Sequence, residues 1–287
     1  MTTLDVAMRR GARLITANGI DIAYHDLGDG PPVVLLHGAL ISTGPRWAGS
    51  PVAHVDHFER LSKHFRVIAP DTRGSGATIH RSGNADFGVL TDDVIALIEA
   101  LGLERPAVVG FSEGGATATL VTLRRPDLVS VLVNHAGFDY FDAHAPAHQG
   151  LGPIFGGGPG ATHADPDAAE RMFQSMGAPM SDTFARMQVD YDDAQGEGHW
   201  RTYLGQFFDR HIAPFGHSVD DLAALAVPTL VLTGDRDIFC SVEAACAVYR
   251  AVPDAELGIV PATGHEVSEA VIDLTIDFVR RRRARPA

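Results

Sequence analysis

Short apolar segments alternate with amphipathic ones along most of the chain. Eight segments rich in Val, Ile and Leu predict strands, at residues 13–16, 20–25, 33–36, 66–69, 107–109, 129–133, 229–232 and 257–260. The pair Asn18-Gly19 predicts a tight turn between the first two. Apolar residues recur every three or four positions at 94–101, which predicts a helix that Gly102 ends. This alternation predicts an α/β protein with a mostly parallel sheet, helices on both faces, and ligands at the carboxyl ends of the strands.

Residues 138–219 interrupt this alternation because they contain no convincing strand. We predict a core domain of residues 1–137 and 220–287, into which a helical cap or lid at 138–219 is inserted. The insertion holds eight of the fourteen phenylalanines and four of the six methionines, namely Met172, Met176, Met180 and Met187. Such side chains suit an adaptable apolar cover over a pocket, but they equally suit a helical subdomain that fills its own core. Both interpretations stay open.

Charge and composition exclude several classes of protein. The net charge of −13 opposes binding to nucleic acid or to anionic membranes. The arginines at 280–283 end a predicted helix that begins near Val267, with Val271, Leu274, Phe278 and Val279 facing inward, and cations suit a helix C-terminus. No apolar run is long enough for a membrane helix or a signal peptide, so we expect a cytoplasmic protein. Cys240 and Cys246 are too few for a disulfide scaffold and lack the spacing of a zinc site.

The strongest chemical motif is the G-x-S-x-G sequence at 110–114. It lies between a predicted strand and a predicted helix, where a sharp turn exposes a nucleophile and the helix N-terminus favours developing negative charge. Small flanking residues are needed because the backbone at the nucleophile is strained. Ser112 is therefore the candidate nucleophile.

A serine hydroxyl needs a base, and the base needs an acid that orients it. His265 follows the last predicted strand and is the candidate base. Asp237 and Asp235 both follow the preceding strand, so either acid is a possible partner for the histidine. Along the chain the three groups come in the order Ser, Asp, His. Each of them follows the carboxyl end of a predicted strand.

With these motifs the chain resembles the α/β-hydrolase superfamily, in its serine-nucleophile, esterase- and lipase-like branch. The resemblance runs from about residue 20 to residue 279 and includes an H-G-x-x segment at 37–40 and a D-x-R-G-x-G loop at 71–76. It implies an eight-stranded sheet, and its G-x-x-D pattern favours Asp237 as the acid. Asp139 stays open as well, because some relatives carry the acid after the strand that precedes it. It also implies that Ala39 and Glu113 donate backbone N–H groups to an oxyanion, and that His37 stabilises its own loop. For Asp71 and Arg73 we expect structural hydrogen bonds.

No cofactor or metal is expected. The chain lacks G-x-G-x-x-G, a phosphate loop and metal-ligand spacing. His144 and His148 are four residues apart, but Pro146 lies between them and no H-E-x-x-H sequence accompanies them.

The reaction we predict is hydrolysis of a small to medium hydrophobic carboxylic ester through an acyl-enzyme. Lactones, thioesters, amides and the C–C bond of a β-diketone-like compound are cleaved by the same groups, and a non-catalytic small-molecule receptor is the alternative of another class. A serine nucleophile disfavours dehalogenase and epoxide hydrolase chemistry, which use aspartate in this fold. The partner we expect is the small-molecule substrate, and a homodimer stays open. The substrate-binding residues we predict are Leu40, Phe111, Met172, Met176 and Phe207.

Overall fold

All eight predicted strands join one sheet. The computed structural model describes residues 3–43, 55–137, 177–212 and 218–283, together with the isolated positions 167, 170, 171 and 174. The strands are β1 Arg13–Ala17, β2 Ile20–Leu27, β3 Pro32–Leu36, β4 Arg66–Pro70, β5 Ala107–Phe111, β6 Leu132–His135, β7 Thr229–Gly234 and β8 Ala255–Val260. Their order is β1-β2-β4-β3-β5-β6-β7-β8, and β2 pairs antiparallel with both of its neighbours. From β4 to β8 all neighbours are parallel, as predicted.

Helices cover both faces of the sheet. The helices of the described residues are α1 Thr3–Arg10, α2 Val55–Leu61, α3 Phe87–Ala100, α4 Glu113–Arg124, α5 Ala178–Gln195, α6 His199–Ile212, α7 Val242–Ala251 and α8 Glu269–Arg283, with 3-10 turns at Pro126–Leu128 and Asp220–Ala224. Successive residues of a strand point to opposite faces. Val34 and Leu36 of β3 therefore belong to an apolar cluster that also includes residues of α3, α4 and α7, whereas Val33 and Leu35 belong to a second cluster with residues of α2 and α8. This explains why the central strands are apolar throughout.

Turn and cap residues act where the sequence places them. Asn18 and Gly19 have φ of +47° and +73°, the backbone of a two-residue hairpin turn that matches the twist of β1 and β2. Asp86 caps α3 by accepting the N–H of Val89 at 2.8 Å. Gly102, with φ of +60°, directly follows the C-cap residue of that helix.

Some elements differ from the prediction. The N-terminal helix α1 has no counterpart in it, because its apolar face is narrow: Val6 and Ala7 are buried against Ala194 of α5. Strand β5 extends past the predicted run to Phe111, and β6 is shifted: it runs from Leu132 to His135 rather than over 129–133, because its pairing with β5 and β7 begins at Leu132 and continues to His135. In α8, Leu274 is 40% exposed rather than inward-facing.

The described part of the 138–219 segment is helical and is joined to the core by buried polar contacts. Asp190 of α5 pairs with Arg10 of α1 at 2.8 Å and accepts the hydroxyl of Ser42 at 2.9 Å. Gln195 donates to the carbonyl of Thr78 at 3.1 Å. Among its aromatic and sulfur side chains, Met187 and Phe208 are fully buried, so in the described part they help to fill a core. None of the described residues of this segment forms a strand.

The arginine cluster at the end of α8 is bound to the neighbouring strands. Arg281 pairs with Glu256 of β8 at 2.8 Å, and Arg283 donates to the carbonyl of Pro32 at 2.5 Å. In the described ranges no helix combines the length and the apolar character that crossing a membrane requires.

Candidate active site

Ser112 lies at the sharp turn between β5 and α4. Its φ of +52° and ψ of −124° are strained for a residue with a side chain, and its N–H donates to the carbonyl of His135 at 2.8 Å. Gly110 and Gly114 on either side of it are required because a side chain at either position would collide with neighbouring backbone. A Cβ at position 110 would lie 2.1 Å from the Gly114 carbonyl oxygen, and one at position 114 would lie 2.4 Å from the Leu36 carbonyl oxygen. The motif therefore reflects how closely β3, β5 and α4 approach one another here.

The loop after β3 lies directly against Ser112. A Cβ on Gly38 would stand 3.2 Å from the Cβ of Ser112, so a glycine allows this approach. The Thr72 N–H donates to Nε2 of His37 at 3.0 Å, which assigns the ring proton to Nδ1, 2.7 Å from the Gly38 carbonyl oxygen. That carbonyl and the N–H of Ala39 belong to one trans peptide plane and point in opposite directions. His37 thereby orients the N–H of Ala39.

Asp237 and His265 form a hydrogen-bonded pair at the carboxyl end of the sheet. Nδ1 of His265 lies 2.8 Å from Oδ2 of Asp237, whose side chain is fully buried. The backbone N–H groups of Phe239 and Cys240 donate to Oδ1 of Asp237 at 2.8 and 2.9 Å. Burial by itself raises the pKa of the Asp237 carboxyl, but His265 and these two N–H groups more than offset it and lower that pKa below 3.8. The carboxylate is therefore ionised at neutral pH and fixes the orientation of the imidazole.

Neither of the other two acids considered from the sequence is seen to bond His265. Asp235 is exposed and its Oδ1 accepts the N–H of Thr263 at 3.3 Å. Asp139 lies outside the described residues.

Aromatic rings surround the imidazole of His265. The ring of Phe111 has its centroid 4.8 Å from that of His265 and 4.8 Å from that of His135, and Phe239 contacts His265 at 4.9 Å. Ser112 thus follows a residue that packs directly on the candidate base. His135 is buried, and no described residue makes a hydrogen bond to either of its ring nitrogens. Burial, with the nearby His265, lowers the pKa of His135 to about 3, so His135 is neutral near pH 7.

Helix α6 contacts both segments from which oxyanion donors are expected. Oη of Tyr203 accepts the N–H of Leu40 at 3.2 Å. Arg210 donates to the two carboxylate oxygens of Glu113 at 2.7 and 3.3 Å. Burial by itself raises the pKa of the Glu113 carboxyl, but the Arg210 guanidinium more than offsets this and the pKa is lowered below 4.5. Glu113 and Arg210 therefore form a buried ion pair beside the nucleophile turn.

The D-x-R-G-x-G loop has the structural role expected of it. Asp71 accepts the N–H groups of Thr43 and Ala77, both at 2.8 Å. Arg73 forms a buried two-point contact with Asp93, at 2.8 and 2.6 Å.

Of the substrate-binding residues predicted, three are described. Leu40, Phe111 and Phe207 are all buried, and the ring of Phe207 packs on Phe208 of the same helix at 4.9 Å. Met172 and Met176 lie outside the described residues, as do His144 and His148. Within the described ranges, no three His, Cys, Asp or Glu side chains are grouped so as to hold a metal ion.

The contacts made by Tyr203 and Arg210 were not predicted from the sequence. The two residues are seven apart, two turns of α6, with Phe207 between them on the same face. An arginine on an otherwise aromatic helix face is the signal that points to a buried ionic partner, since an unpaired charge is rarely buried.

Comparison with known proteins finds hydrolases that are similar over most of the chain. The chain is 28% identical over 270 residues to 2-hydroxymuconate semialdehyde hydrolase of Pseudomonas putida, covering 88% of this chain and 87% of that protein. It is 28% identical over 283 residues to 2-hydroxy-6-oxo-2,4-heptadienoate hydrolase, also of Pseudomonas putida, covering 93% of this chain and 95% of that protein.

A solved structure shares the fold, and a family model matches most of the sequence. The structure of a meta-cleavage product hydrolase from Pseudomonas fluorescens superposes with a TM-score of 0.73 at 23% identity, over 94% of this chain and 97% of that one. The model of the alpha/beta hydrolase fold matches residues 31–269. This match spans well over half of the chain, and the protein therefore belongs to the α/β-hydrolase fold family.

Proposed function

We propose that this protein is a serine hydrolase that cleaves a bond at a carbonyl carbon through an acyl-enzyme. The observation that carries the proposal is the 2.8 Å contact between Asp237 and His265, at the same end of the sheet as the strained turn of Ser112. Aspartate, histidine and a serine on a strand-to-helix turn are the three groups that acyl transfer to water needs.

In the proposed reaction the hydroxyl oxygen of Ser112 attacks the carbonyl carbon while Nε2 of His265 takes the hydroxyl proton. The N–H groups of Ala39 and Glu113 stabilise the oxyanion that forms. The imidazolium returns its proton to the leaving group, which departs and leaves an acyl-serine. Water then attacks the acyl carbon, His265 takes its proton, and collapse returns that proton to Ser112 and releases the acid.

The relatives favour a C–C bond as the bond that is cleaved. The two Pseudomonas putida enzymes are named for a semialdehyde and for a 6-oxo-dienoate, and the similarity extends over at least 87% of their lengths. A C–C bond beside an oxo carbon breaks by this mechanism when the leaving carbon is stabilised as an enolate. The enolate takes the imidazolium proton as it leaves, and water then supplies a hydroxyl to the acyl fragment and, through His265, a proton to Ser112, so that one water is consumed overall. The leading candidate substrate is thus an oxo-dienoate, in which the C–C bond to be cleaved is β-diketone-like.

A specific contact favours the ester as second candidate. A dienoate carries a carboxylate, which calls for a cation in the pocket. Arg210, beside the nucleophile turn, is already held by both oxygens of Glu113, so it is not available to bind a substrate carboxylate. A neutral hydrophobic ester needs no such cation.

The test compares the two substrate classes on one preparation. The kcat/KM for 2-hydroxy-6-oxo-2,4-heptadienoate, followed by its absorbance, is compared with values for p-nitrophenyl esters of increasing acyl length. We expect turnover of at least one class, loss of it in Ser112→Ala, and labelling of Ser112 by a fluorophosphonate in mass spectrometry. Unchanged turnover in Ser112→Ala refutes the mechanism. Tight binding of these compounds without turnover identifies a receptor instead.

A further inference from the structure

Helix α6 touches the two loops that carry the expected oxyanion donors. Tyr203 binds the loop at 37–40 through the N–H of Leu40, and Arg210 binds the first residue of α4 through the carboxylate of Glu113. Position 203 and position 210 are two helical turns apart, so both side chains leave the same face of α6. One helix of the 138–219 segment thus spans the gap between two loops of the core.

These contacts are buried and mutually supported. Tyr203 is fully buried and Arg210 is only 3% exposed. The guanidinium of Arg210 lies 5.4 Å from the ring centre of Tyr203, and it also donates to the carbonyl of Ala85 at 3.1 Å. Arg210 is therefore held at three points: the carboxylate of Glu113, the Ala85 carbonyl and the face of Tyr203. Such a network keeps one geometry because each alternative leaves a buried charge unpaired.

Both loops carry backbone strain at the residue beside the expected donor. Leu40, which follows Ala39, has φ of +66°, and Ser112, which precedes Glu113, has φ of +52°. A side chain at positive φ persists only where surrounding contacts hold it there. The N–H of Leu40 is occupied by Tyr203, which fixes the peptide plane next to the one that carries the Ala39 donor.

We propose that Tyr203 and Arg210 are positioning residues of the oxyanion hole, by which α6 sets the distance between the N–H of Ala39 and the N–H of Glu113. The inference rests on the proposed function and adds the two residues that act through these donors. Neither side chain needs to touch the substrate. A small displacement of donors that act in the transition state lowers kcat and leaves KM nearly unchanged.

The experiment uses Tyr203→Phe and Arg210→Lys in the full chain. The first variant keeps the ring and removes the hydroxyl, with its hydrogen bonds to the Leu40 N–H and to Tyr191, and the second keeps the charge but loses the two-point contact with Glu113. Thr275→Val is the control for loss of a buried hydroxyl, because Thr275 bonds only its own helix in α8, at the carbonyl of Val271. Arg66→Lys is the control for the arginine change, because Arg66 makes a two-point contact with Asp26 at the amino end of β4, the end of the parallel strands away from Ser112.

The readouts are kcat, KM, the melting temperature, and the inhibition constant of an alkyl trifluoromethyl ketone, whose serine adduct carries an oxyanion. We expect kcat to fall about 10- to 100-fold in both variants, as for a misplacement approaching 1 Å, with KM within about twofold of wild type. The inhibition constant of the trifluoromethyl ketone should rise by the same factor by which kcat/KM falls. The two controls should keep kcat at the wild-type value.

Other outcomes overturn the proposal. If Tyr203→Phe and Arg210→Lys fold and keep wild-type kcat while Ser112→Ala is inactive, the serine mechanism stands and the positioning role is wrong. The proposal is also overturned if kcat falls to a similar extent in the controls, and if across all four variants the fall in kcat follows the fall in melting temperature. If Arg210→Lys does not fold, Tyr203→Phe decides the question alone. If Ser112→Ala is fully active, the proposed function fails and this inference with it.

Discussion

The buried side chain of His135, which packs on Phe111, should make the folded protein less stable in acid. Replacing His135 with leucine removes a side chain that is neutral in the folded protein, because burial lowers its pKa to about 3. In the unfolded chain the same imidazole has a pKa of about 6.5. As the pH falls below that value, the imidazole binds a proton in the unfolded state but not in the folded state. The free energy of unfolding therefore decreases between about pH 6.5 and about pH 3.

The magnitude follows from these two pKa values. At pH 5 the difference in proton binding destabilises the fold by about 2 kcal/mol, and at pH 7.5 by less than about 0.1 kcal/mol. His57 is also buried, with its pKa lowered to about 3 by burial and by Arg60, and it adds a similar amount. Asp237 and Glu113 have lowered pKa values, so their contributions are lost only below about 4.5. Leucine at position 135 should therefore remove about half of what these two histidines contribute.

Urea unfolding at pH 7.5, 6.0 and 5.0 measures the effect. We expect the free energy of unfolding of His135→Leu to fall by about 2 kcal/mol less than that of wild type between pH 7.5 and pH 5.0. His64→Leu, at an exposed position, controls for the loss of a histidine as such. Parallel pH profiles for wild type and His135→Leu would refute the reasoning, whatever the absolute stability of the variant.

Further predictions concern the site and its turn. Asp237→Asn should lower kcat by about 10³- to 10⁴-fold because the imidazole loses the acceptor that orients it, whereas Asp235→Asn should change kcat little; steady-state kinetics on the same ester or ketone compare them. Equal losses in both would contradict the assignment of the acid. Gly114→Ala should destabilise by at least about 1–3 kcal/mol, because the new Cβ meets backbone carbonyls 2.4 and 2.6 Å away, and Gly205→Ala, which meets nothing within 4 Å inside α6, should stabilise by about 0.5–1 kcal/mol. Melting temperatures that move in the same direction for both glycine variants would disprove the steric explanation.

Local patterns predicted much of the fold because they depend on neighbouring residues. Two-residue alternation and buried runs indicated eight strands, Asn18-Gly19 indicated the hairpin, and Gly102 indicated the end of α3. The sharp turn at Ser112 was predictable too, since closely spaced glycines indicate that backbones approach each other. Helix α1 was missed because two buried residues, Val6 and Ala7, give too weak a periodicity to recognise.

The sequence by itself determined the class of fold, the turn at Ser112 and a short set of acids and bases at strand ends, because these depend on the order of residues within short segments. Only the tertiary structure decided that His265 bonds Asp237 while Asp235 turns to Thr263, since two acids on one loop differ in direction and not in spacing. It also decided that Arg210 of α6 meets Glu113, 97 residues earlier in the chain. Burial makes an unpaired charge costly, so each of the two groups needs the other, but this burial arises only when the chain has folded.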